Sequence, residues 1–355
     1  MSQQTDSTIR LTQFAHGAGC GCKIAPQVLQ EILGGNITQK NFENLLVGNG
    51  SNDDAAVYDL GNGQALISTT DFFMPIVDSA FDFGRIASAN AISDVYAMGG
   101  KPILALAILG WPVNKLSPSL AKEVLDGARS ICNEAGIPLA GGHSIDSPEP
   151  IFGLSVNGIV SKQNLKKNNT AKEGDLLFLT KPIGVGILST ALKREQLLDS
   201  DKEILMKQLT RLNSIGEKLS EIQGLNAMTD VTGFGLLGHL IEMAEGSGLS
   251  AELNYEKVPK ISPLPHYLKL GTIPDATFRN WNAYQAKTDI GPSVNITEAF
   301  SVLPDPQTNG GLLFSVDERR VSEVENLLRE NGLGEHLTPI GQMLKKQEKV
   351  ILLRS

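Results

Sequence analysis

The chain has 355 residues, a length that suggests two domains of ordinary size. It carries 39 acidic and 31 basic residues for a net charge of −8. This balance disfavours general nucleic-acid binding, which needs a cationic surface. No apolar run reaches the ~18 residues of a membrane span, and the first residues lack the apolar core of a signal peptide. We therefore expect a soluble, cytoplasmic protein with neither a membrane nor a direct nucleic-acid partner.

The first half of the chain predicts a mixture of strands and helices, typical of an α+β fold. The expected strands cover residues 44–47, 55–60, 65–70, 102–109, 139–143 and 151–160, and the expected helices follow Pro26 or cover residues 83–98 and 117–135. The apolar run from Ile103 to Trp111 predicts a buried strand.

The second half begins after a lysine-rich stretch, residues 161–172, whose composition is typical of a linker. Strands are expected at 175–180, 310–316 and 350–353, and helices at 184–192, 202–222, 232–246 and 318–331. Residues 259–274 and 280–295 carry no clear pattern. We therefore expect an N-terminal tail and loop at 1–22, one domain at 23–160 and a second, α+β domain at 175–355.

Three cysteines, Cys20, Cys22 and Cys132, are too few for a disulfide scaffold. Two of them lie in a glycine-rich segment, residues 17–22, which predicts an irregular, mobile loop. The neighbouring Lys23 is expected to lower a thiol pKa, although the spacing also suits a redox pair or soft-metal ligands. Cys132 is expected to be a small buried side chain in a helix.

Five aspartates at or near the ends of predicted elements are candidate ligands for a hard cation such as Mg²⁺. They are Asp53, Asp54, Asp71, Asp94 and Asp230. For any one of them alone, a helix cap, a turn or a solvated charge is the more common role. Asp94 is the strongest single candidate, because a carboxylate among Ala, Ile and Val is costly unless it is satisfied.

Glycine-rich motifs give weaker signals. Residues 99–102 lack the spacing of a Walker A loop. Residues 233–238 match the pattern G-x-G-x-x-G, but small residues that start a helix also serve close packing. Residues 141–144 and 305–311 predict turns that could also border a site.

Together these motifs resemble the selenophosphate synthetases (selenide, water dikinases), within the wider ATP-binding superfamily of aminoimidazole ribonucleotide synthetase. The matching segments are residues 16–23, 53–58, 69–73, 90–94, 96–102, 141–146, 228–238 and 305–308. The aspartate and glycine motifs alone resemble the superfamily, and the Cys-Gly-Cys-Lys segment narrows the likeness to the selenium branch.

The resemblance implies a two-domain fold of the aminoimidazole ribonucleotide synthetase type. Its reaction converts ATP, hydrogen selenide and water into selenophosphate, AMP and phosphate, and supplies activated selenium for selenocysteine and selenouridine. It implies Mg²⁺ as cofactor, a homodimer paired through the N-terminal domains, and a selenide-delivery protein as a further partner.

The resemblance also implies residue roles. Cys20 would be the essential thiol, with Lys23 as its cationic neighbour. The implied metal ligands are Asp54, Asp94 and Asp230. The implied ATP contacts are Lys23, Ser51, Asn52, Asp53, Asp71, Asp94, Gly142, His143 and Ser144, the last three in the partner's site.

Two positions depart from the family pattern: Asn52, where relatives often have Arg, and Asn309, where the family usually has Ser. Two alternatives stay open on the sequence. One is another enzyme of the superfamily, such as a ligase of the aminoimidazole ribonucleotide type, with incidental cysteines. The other is a thiol-based metal-binding or redox module that uses nucleotide for regulation.

Overall fold

Two β-sheets with their covering helices organise the chain. The computed structural model describes residues 9–23, 28, 31–32, 42–48 and 53–355. Most of the helix expected after Pro26, and the candidate residues Ser51 and Asn52, lie outside these ranges. Among the described residues, no helix has the length and apolar character needed to cross a membrane.

The first sheet has six strands in the order β1-β2-β3-β6-β4-β5. They are β1 (Leu45–Val47), β2 (Ala56–Asp59), β3 (Gln64–Phe73), β4 (Lys101–Trp111), β5 (Leu139–Asp146) and β6 (Ile151–Ser161). All neighbours are antiparallel except β4 and β5, which pair in parallel and leave β5 at the sheet edge.

Two helices pack beside this sheet: α1 (Ala80–Ala97) and α2 (Pro118–Glu134), each capped by a serine hydroxyl at its N-terminus. The two helices cross at a point where each has a glycine against the backbone of the other. A Cβ on Gly84 would lie 1.9 Å from the Val124 carbonyl oxygen, and one on Gly127 would lie 1.9 Å from that of Phe81. This close approach buries nearly the whole of α1, so any polar side chain it carries must find partners within the protein.

The second sheet has seven strands in the order β10-β13-β9-β12-β7-β11-β8. They are β7 (Leu176–Leu179), β8 (Leu225–Asp230), β9 (Ser250–Asn254), β10 (Thr288–Ile290), β11 (Leu312–Val316), β12 (Gly341–Leu344) and β13 (Ile351–Arg354). The two mixed sheets with their helices confirm the predicted α+β fold class.

The second half of the chain contributes eight further α-helices in the described residues. They are α3 (Val185–Lys193), α4 (Asp199–Thr210), α5 (Ile215–Leu219), α6 (Gly235–Gly246), α7 (Leu264–Leu270), α8 (Asp275–Tyr284), α9 (Ile296–Val302) and α10 (Val321–Glu330). Helix α5 packs on α1, because a Cβ on Gly216 would lie 2.3 Å from the Tyr96 carbonyl oxygen. Helix α1 of the first half therefore contacts helix α5 of the second half.

Three details of the sequence prediction were wrong. The single helix expected at 202–222 is two helices, because Arg211 is extended and Asn213 turns its amide inward. Strands β3 and β5 run beyond the expected ends, so Asp71 and His143 lie within strands. The strand predicted to be buried at 103–111 is only partly covered by the described residues, since Ile103 stays 40% exposed and Leu106 38%.

Candidate functional site

A cluster of three carboxylates lies where the two sheets meet α1. Asp54 precedes β2, Asp94 is on α1, and Asp230 ends β8. One oxygen atom from each lies within 4.8 Å of the others. The structure thus brings together three of the five candidate aspartates, from segments up to 176 residues apart along the chain.

Hydroxyl donors fix one oxygen of each carboxylate. Thr229 donates to Asp54 at 2.7 Å, Thr69 to Asp94 at 2.5 Å and Ser93 to Asp230 at 2.5 Å. The second oxygen of Asp54 is buried and has no hydrogen-bond partner among the described residues. A buried carboxylate oxygen without a partner is costly, so this atom marks a place for a ligand.

Burial and mutual repulsion make this cluster unfavourable without a cation. Burial raises the pKa of Asp230 to about 6. Burial and the neighbouring Asp230 raise the pKa of Asp54 well above its usual range. Burial and Asp71 do the same to the pKa of Asp94. A hard divalent cation takes oxygen ligands and would neutralise these charges, so the residues present fit such an ion.

Asp53 lies beside the cluster rather than in it. Its Oδ1 accepts hydrogen bonds from the backbone N–H groups of Asn168 and Asp54. Burial raises the pKa of Asp53 to about 6, and its Oδ2 is buried with no partner among the described residues. Asp53 therefore offers a second acceptor at the same edge of the sheet.

The Cys20 segment packs against this cluster. It forms a short 3₁₀ turn, Gly19–Cys22, instead of the irregular loop expected from its glycines. The Cys20 thiol donates to Asn90 Oδ1 at 3.3 Å, and Asn90 Nδ2 donates to Asp71 Oδ2 at 2.5 Å. Asn90 thus connects the thiol to a candidate aspartate.

The expected lowering of the thiol pKa was wrong for Cys20. Cys20 is 2% exposed, and burial raises the pKa of its thiol more than the Lys23 cation lowers it. Lys23 Nζ lies 4.0 Å from Asp71 Oδ1, and this carboxylate raises the pKa of Lys23 above its usual value. In this conformation the thiol is protonated at neutral pH, whereas Lys23 is a permanent cation.

Segment 305–311, predicted as a turn at the border of a site, contacts the Cys20 turn from the second half of the chain. Thr308 Oγ1 accepts a hydrogen bond from the Cys20 backbone N–H at 3.0 Å. Gln307 Oε1 and Asp305 Oδ2 accept from backbone N–H groups at the start of α3. The segment thereby joins the Cys20 turn to α3.

Asn309, the residue that departs from the family pattern, has φ +51°, a left-handed conformation that Asn tolerates well. Its side-chain amide donates to the carbonyl oxygens of Leu209 and Arg211 at 2.9 Å each, while its backbone N–H donates to Asn90 Oδ1 at 2.7 Å. The Asn side chain is longer than the Ser of the family pattern, and it thus reaches carbonyl groups at the break between α4 and α5.

The structure does not bring Gly142, His143 and Ser144 to the carboxylate cluster. They lie on the exposed edge strand β5 and line a separate cavity of about 310 Å³. Cys20, Lys23 and Asp71 together line a different cavity of about 290 Å³. Within one chain, the two sets of candidate residues are therefore separate.

The glycine motif at 233–238 serves close packing. A Cβ on Gly233 would lie 2.7 Å from the Cys20 carbonyl oxygen and 3.1 Å from Lys23 Cδ. His239 fixes this turn, because its Nε2 accepts a hydrogen bond from the Thr232 backbone N–H at 3.1 Å. Its other ring nitrogen lies 3.5 Å from Glu242.

His239 predicts a pH dependence of stability. Burial lowers the pKa of His239 to about 3, below the ordinary value of 6.5, so the unfolded chain takes up the proton first. We expect this residue to cost the fold about 2 kcal/mol as the pH falls from 6.5 to 5. His239→Gln should remove that part of the loss in denaturant unfolding measured at both pH values. The exposed His266→Gln is the control, and an unchanged pH dependence in His239→Gln contradicts the prediction.

Known protein families match both halves of the chain. A family model described as AIR synthase related protein, N-terminal domain, matches residues 52–160, and one described as AIR synthase related protein, C-terminal domain, matches residues 172–353. Proteins named selenide, water dikinase are similar over nearly the whole chain. The one from Aeromonas hydrophila is 54% identical over 95% of this chain and 96% of its own. The one from Escherichia coli strain K12 is 54% identical over 96% of each.

Solved structures share the fold at low sequence identity. The thiamine-monophosphate kinase from Stenotrophomonas maltophilia is 20% identical, with a TM-score of 0.63 over 94% of this chain and 96% of its own. The hydrogenase maturation protein HypE from E. coli is also 20% identical, with a TM-score of 0.60 over 81% of this chain and 82% of its own.

Proposed function

This chain belongs to the selenide, water dikinase family, and from that premise we propose which of its residues carry the reaction. The reaction converts ATP, hydrogen selenide and water into selenophosphate, AMP and phosphate. The observation that supports this assignment best is the contact between the two parts of the site. Asn90 bonds both to the Cys20 thiol and to Asp71, beside the carboxylate cluster.

Asp54, Asp94 and Asp230 are proposed to hold Mg²⁺, and the partnerless oxygen of Asp54 supports this choice. When bound, the ion supplies charge neutralisation for the ATP phosphates, without which an acidic site repels its substrate. The proposed ATP contacts are Lys23, Ser51, Asn52, Asp53, Asp71, Asp94, Gly142, His143 and Ser144.

Cys20 is proposed to hold the selenium before transfer. Its thiol lines the same cavity as Lys23 and Asp71. Selenide is soft and readily oxidised, so a site that excludes water and a protein that delivers selenide directly both suit this chemistry. The cytoplasm, where thiols stay reduced, is the proposed location.

A homodimer through the first sheet is proposed because that sheet leaves apolar side chains uncovered. Ile103, Leu106 and Ile145 are 40%, 38% and 60% exposed, and β5 is an edge strand in the described chain. Uncovered apolar faces and edge strands are typical of protein interfaces. Pairing there would place Gly142, His143 and Ser144 at the partner's nucleotide.

The test is product formation from ATP, Mg²⁺ and selenide without oxygen, with AMP measured by chromatography and selenophosphate by phosphorus NMR. We expect selenide-dependent AMP and selenophosphate from the unmodified protein, and a loss of at least about a hundredfold in Cys20→Ser. Cys132→Ala is the control, because Cys132 is a buried thiol of α2 that lines neither cavity at the Cys20 turn. Full activity in Cys20→Ser would remove Cys20 from the reaction.

A further inference from the structure

A second cavity adjoins the Cys20 turn. Its volume is about 580 Å³, and Gly17, Ala18 and Gly21 line it, whereas Cys20 itself lines the smaller cavity with Asp71. Thr308, which accepts the hydrogen bond of the Cys20 N–H, also lines the larger cavity. The turn that carries the thiol thus forms a wall between the two cavities.

The lining of this larger cavity is cationic, although the chain as a whole is acidic. Lys193, Arg194 and Arg279 line it, and none of the three forms an ion pair with a carboxylate among the described residues. Asp275 is the single acidic side chain that lines it within the described part of the chain. The net charge of the lining is therefore positive.

Two of these cations border the Cys20 turn directly. Lys193 Nζ donates to the carbonyl oxygens of Ala15 and Gly17 at 3.2 Å each, and Arg279 Nη2 donates to that of Gly21 at 3.0 Å. Backbone carbonyls hold the two groups in place without cancelling their charge. The positive field is thus fixed on both sides of Cys20 along the chain.

A buried hydroxyl also points to a ligand in this cavity. Ser189 on α3 lines it, is 5% exposed, and its Oγ has no hydrogen-bond partner in the described structure. A buried hydroxyl normally has a partner. A hydroxyl donor without an acceptor, among cations that have no carboxylate partner in the described structure, is suited to an anion.

We propose that this cavity binds the selenium substrate as the hydrogen selenide anion, HSe⁻, before it reaches Cys20. The inference rests on the proposed function and adds the route by which selenide arrives. Hydrogen selenide is a much stronger acid than water and is mainly HSe⁻ at neutral pH. The cavity attracts such an anion, because three cations, Lys193, Arg194 and Arg279, line it against the single carboxylate of Asp275 among the described residues.

The kinetic test compares two variants of one position, with glutamate or glutamine, which differ in charge but hardly in size. Thr190 also lines the cavity on α3. We expect Thr190→Glu to raise the KM for selenide about fivefold relative to Thr190→Gln, since one carboxylate opposes the cationic field. The KM for ATP should stay within a factor of about two, because none of the proposed ATP contacts that the structure describes lines this cavity. The difference should shrink at high ionic strength.

A second pair of variants, at Arg194, tests the proposal independently in case the Thr190 variants do not fold. Arg194 is exposed and donates only to the Gly271 carbonyl oxygen among its described contacts. Arg194→Gln should raise the KM for selenide, and Arg194→Lys, which keeps the charge, should raise it less. Equal effects of Thr190→Glu and Thr190→Gln, or of both Arg194 variants, would overturn the proposal.

A binding test avoids activity altogether. Bromide is isoelectronic with HSe⁻ and is visible by anomalous scattering in soaked crystals. We expect bromide beside Ser189 in the unmodified protein and its loss in Thr190→Glu. No bromide in the cavity overturns the proposal, and so does bromide with an unchanged KM for selenide in the variants, which marks an adventitious ion only. If the unmodified protein makes no selenophosphate, the proposed function fails instead, and the selenide route fails with it.

Discussion

Asp54→Asn is expected to lower selenide-dependent AMP formation by at least about a thousandfold. The Oδ2 atom of Asp54 is buried without a partner, and its Oδ1 is occupied by Thr229. An amide at this position offers one neutral oxygen in place of an anionic ligand, so the cluster loses both charge and a donor. The measurement is the initial rate of AMP release over a Mg²⁺ titration.

The same substitution should stabilise the protein in the absence of Mg²⁺. Burial and repulsion from Asp230 raise the pKa of Asp54, so its charged form is unfavourable in the metal-free fold. Mg²⁺ should raise the melting temperature of the unmodified protein more than that of Asp54→Asn. Asp59→Asn, at the far end of β2, is the control and should behave as the unmodified protein does. An unchanged Mg²⁺ dependence in Asp54→Asn contradicts the proposed metal site.

Much of the site could be predicted from the sequence because its charged residues stand out locally. Asp94 lies among Ala, Ile and Val, and such a carboxylate needs a partner wherever the helix packs. Asp230 precedes a glycine-rich helix start, which is a recognisable pattern. These residues are found where the motifs place them, at the ends of elements or on a buried helix.

The uncharged part of the site could not be predicted in this way. Asn90 and Thr308 hold the Cys20 turn, yet an amide and a hydroxyl give no signal on their own in a sequence. Asn90 bonds to Asn309 across 219 residues of chain, a contact that exists only after the two halves pack. Asn90 and Thr308 both lie within segments that resemble the family, which was the one available signal.

The prediction of a lowered pKa for the Cys20 thiol was wrong for the same reason. The sequence shows the charge of Lys23 beside Cys20, but it does not show that the turn is buried between two halves of the protein. Burial outweighs a single neighbouring cation, so the sign of the shift reverses. Similarly, the apolar run of β4 predicted a buried strand, although within the described ranges Ile103 and Leu106 stay exposed.

Lys23→Ala is expected to lower turnover by about a hundredfold to ten-thousandfold while the fold remains intact. The Asp71 carboxylate raises the pKa of Lys23, so the ammonium group keeps its proton throughout the working pH range. It therefore acts as a fixed positive charge beside Cys20, where it is proposed to contact the ATP phosphates, and it neither gives nor takes a proton. Lys23→Arg, which preserves the charge but not its shape, should recover part of the rate.

The control for this prediction is Lys162→Ala. Lys162 is 44% exposed and pairs with Asp59, much as Lys23 is 41% exposed and faces Asp71, but it lies away from the Cys20 turn. Turnover should be normal in Lys162→Ala, and circular dichroism should show the same helix content in both variants. A Lys23→Ala protein with normal turnover would remove Lys23 from the reaction. Equal rates for Lys23→Arg and Lys23→Ala would show that the position needs an ammonium group rather than any positive charge.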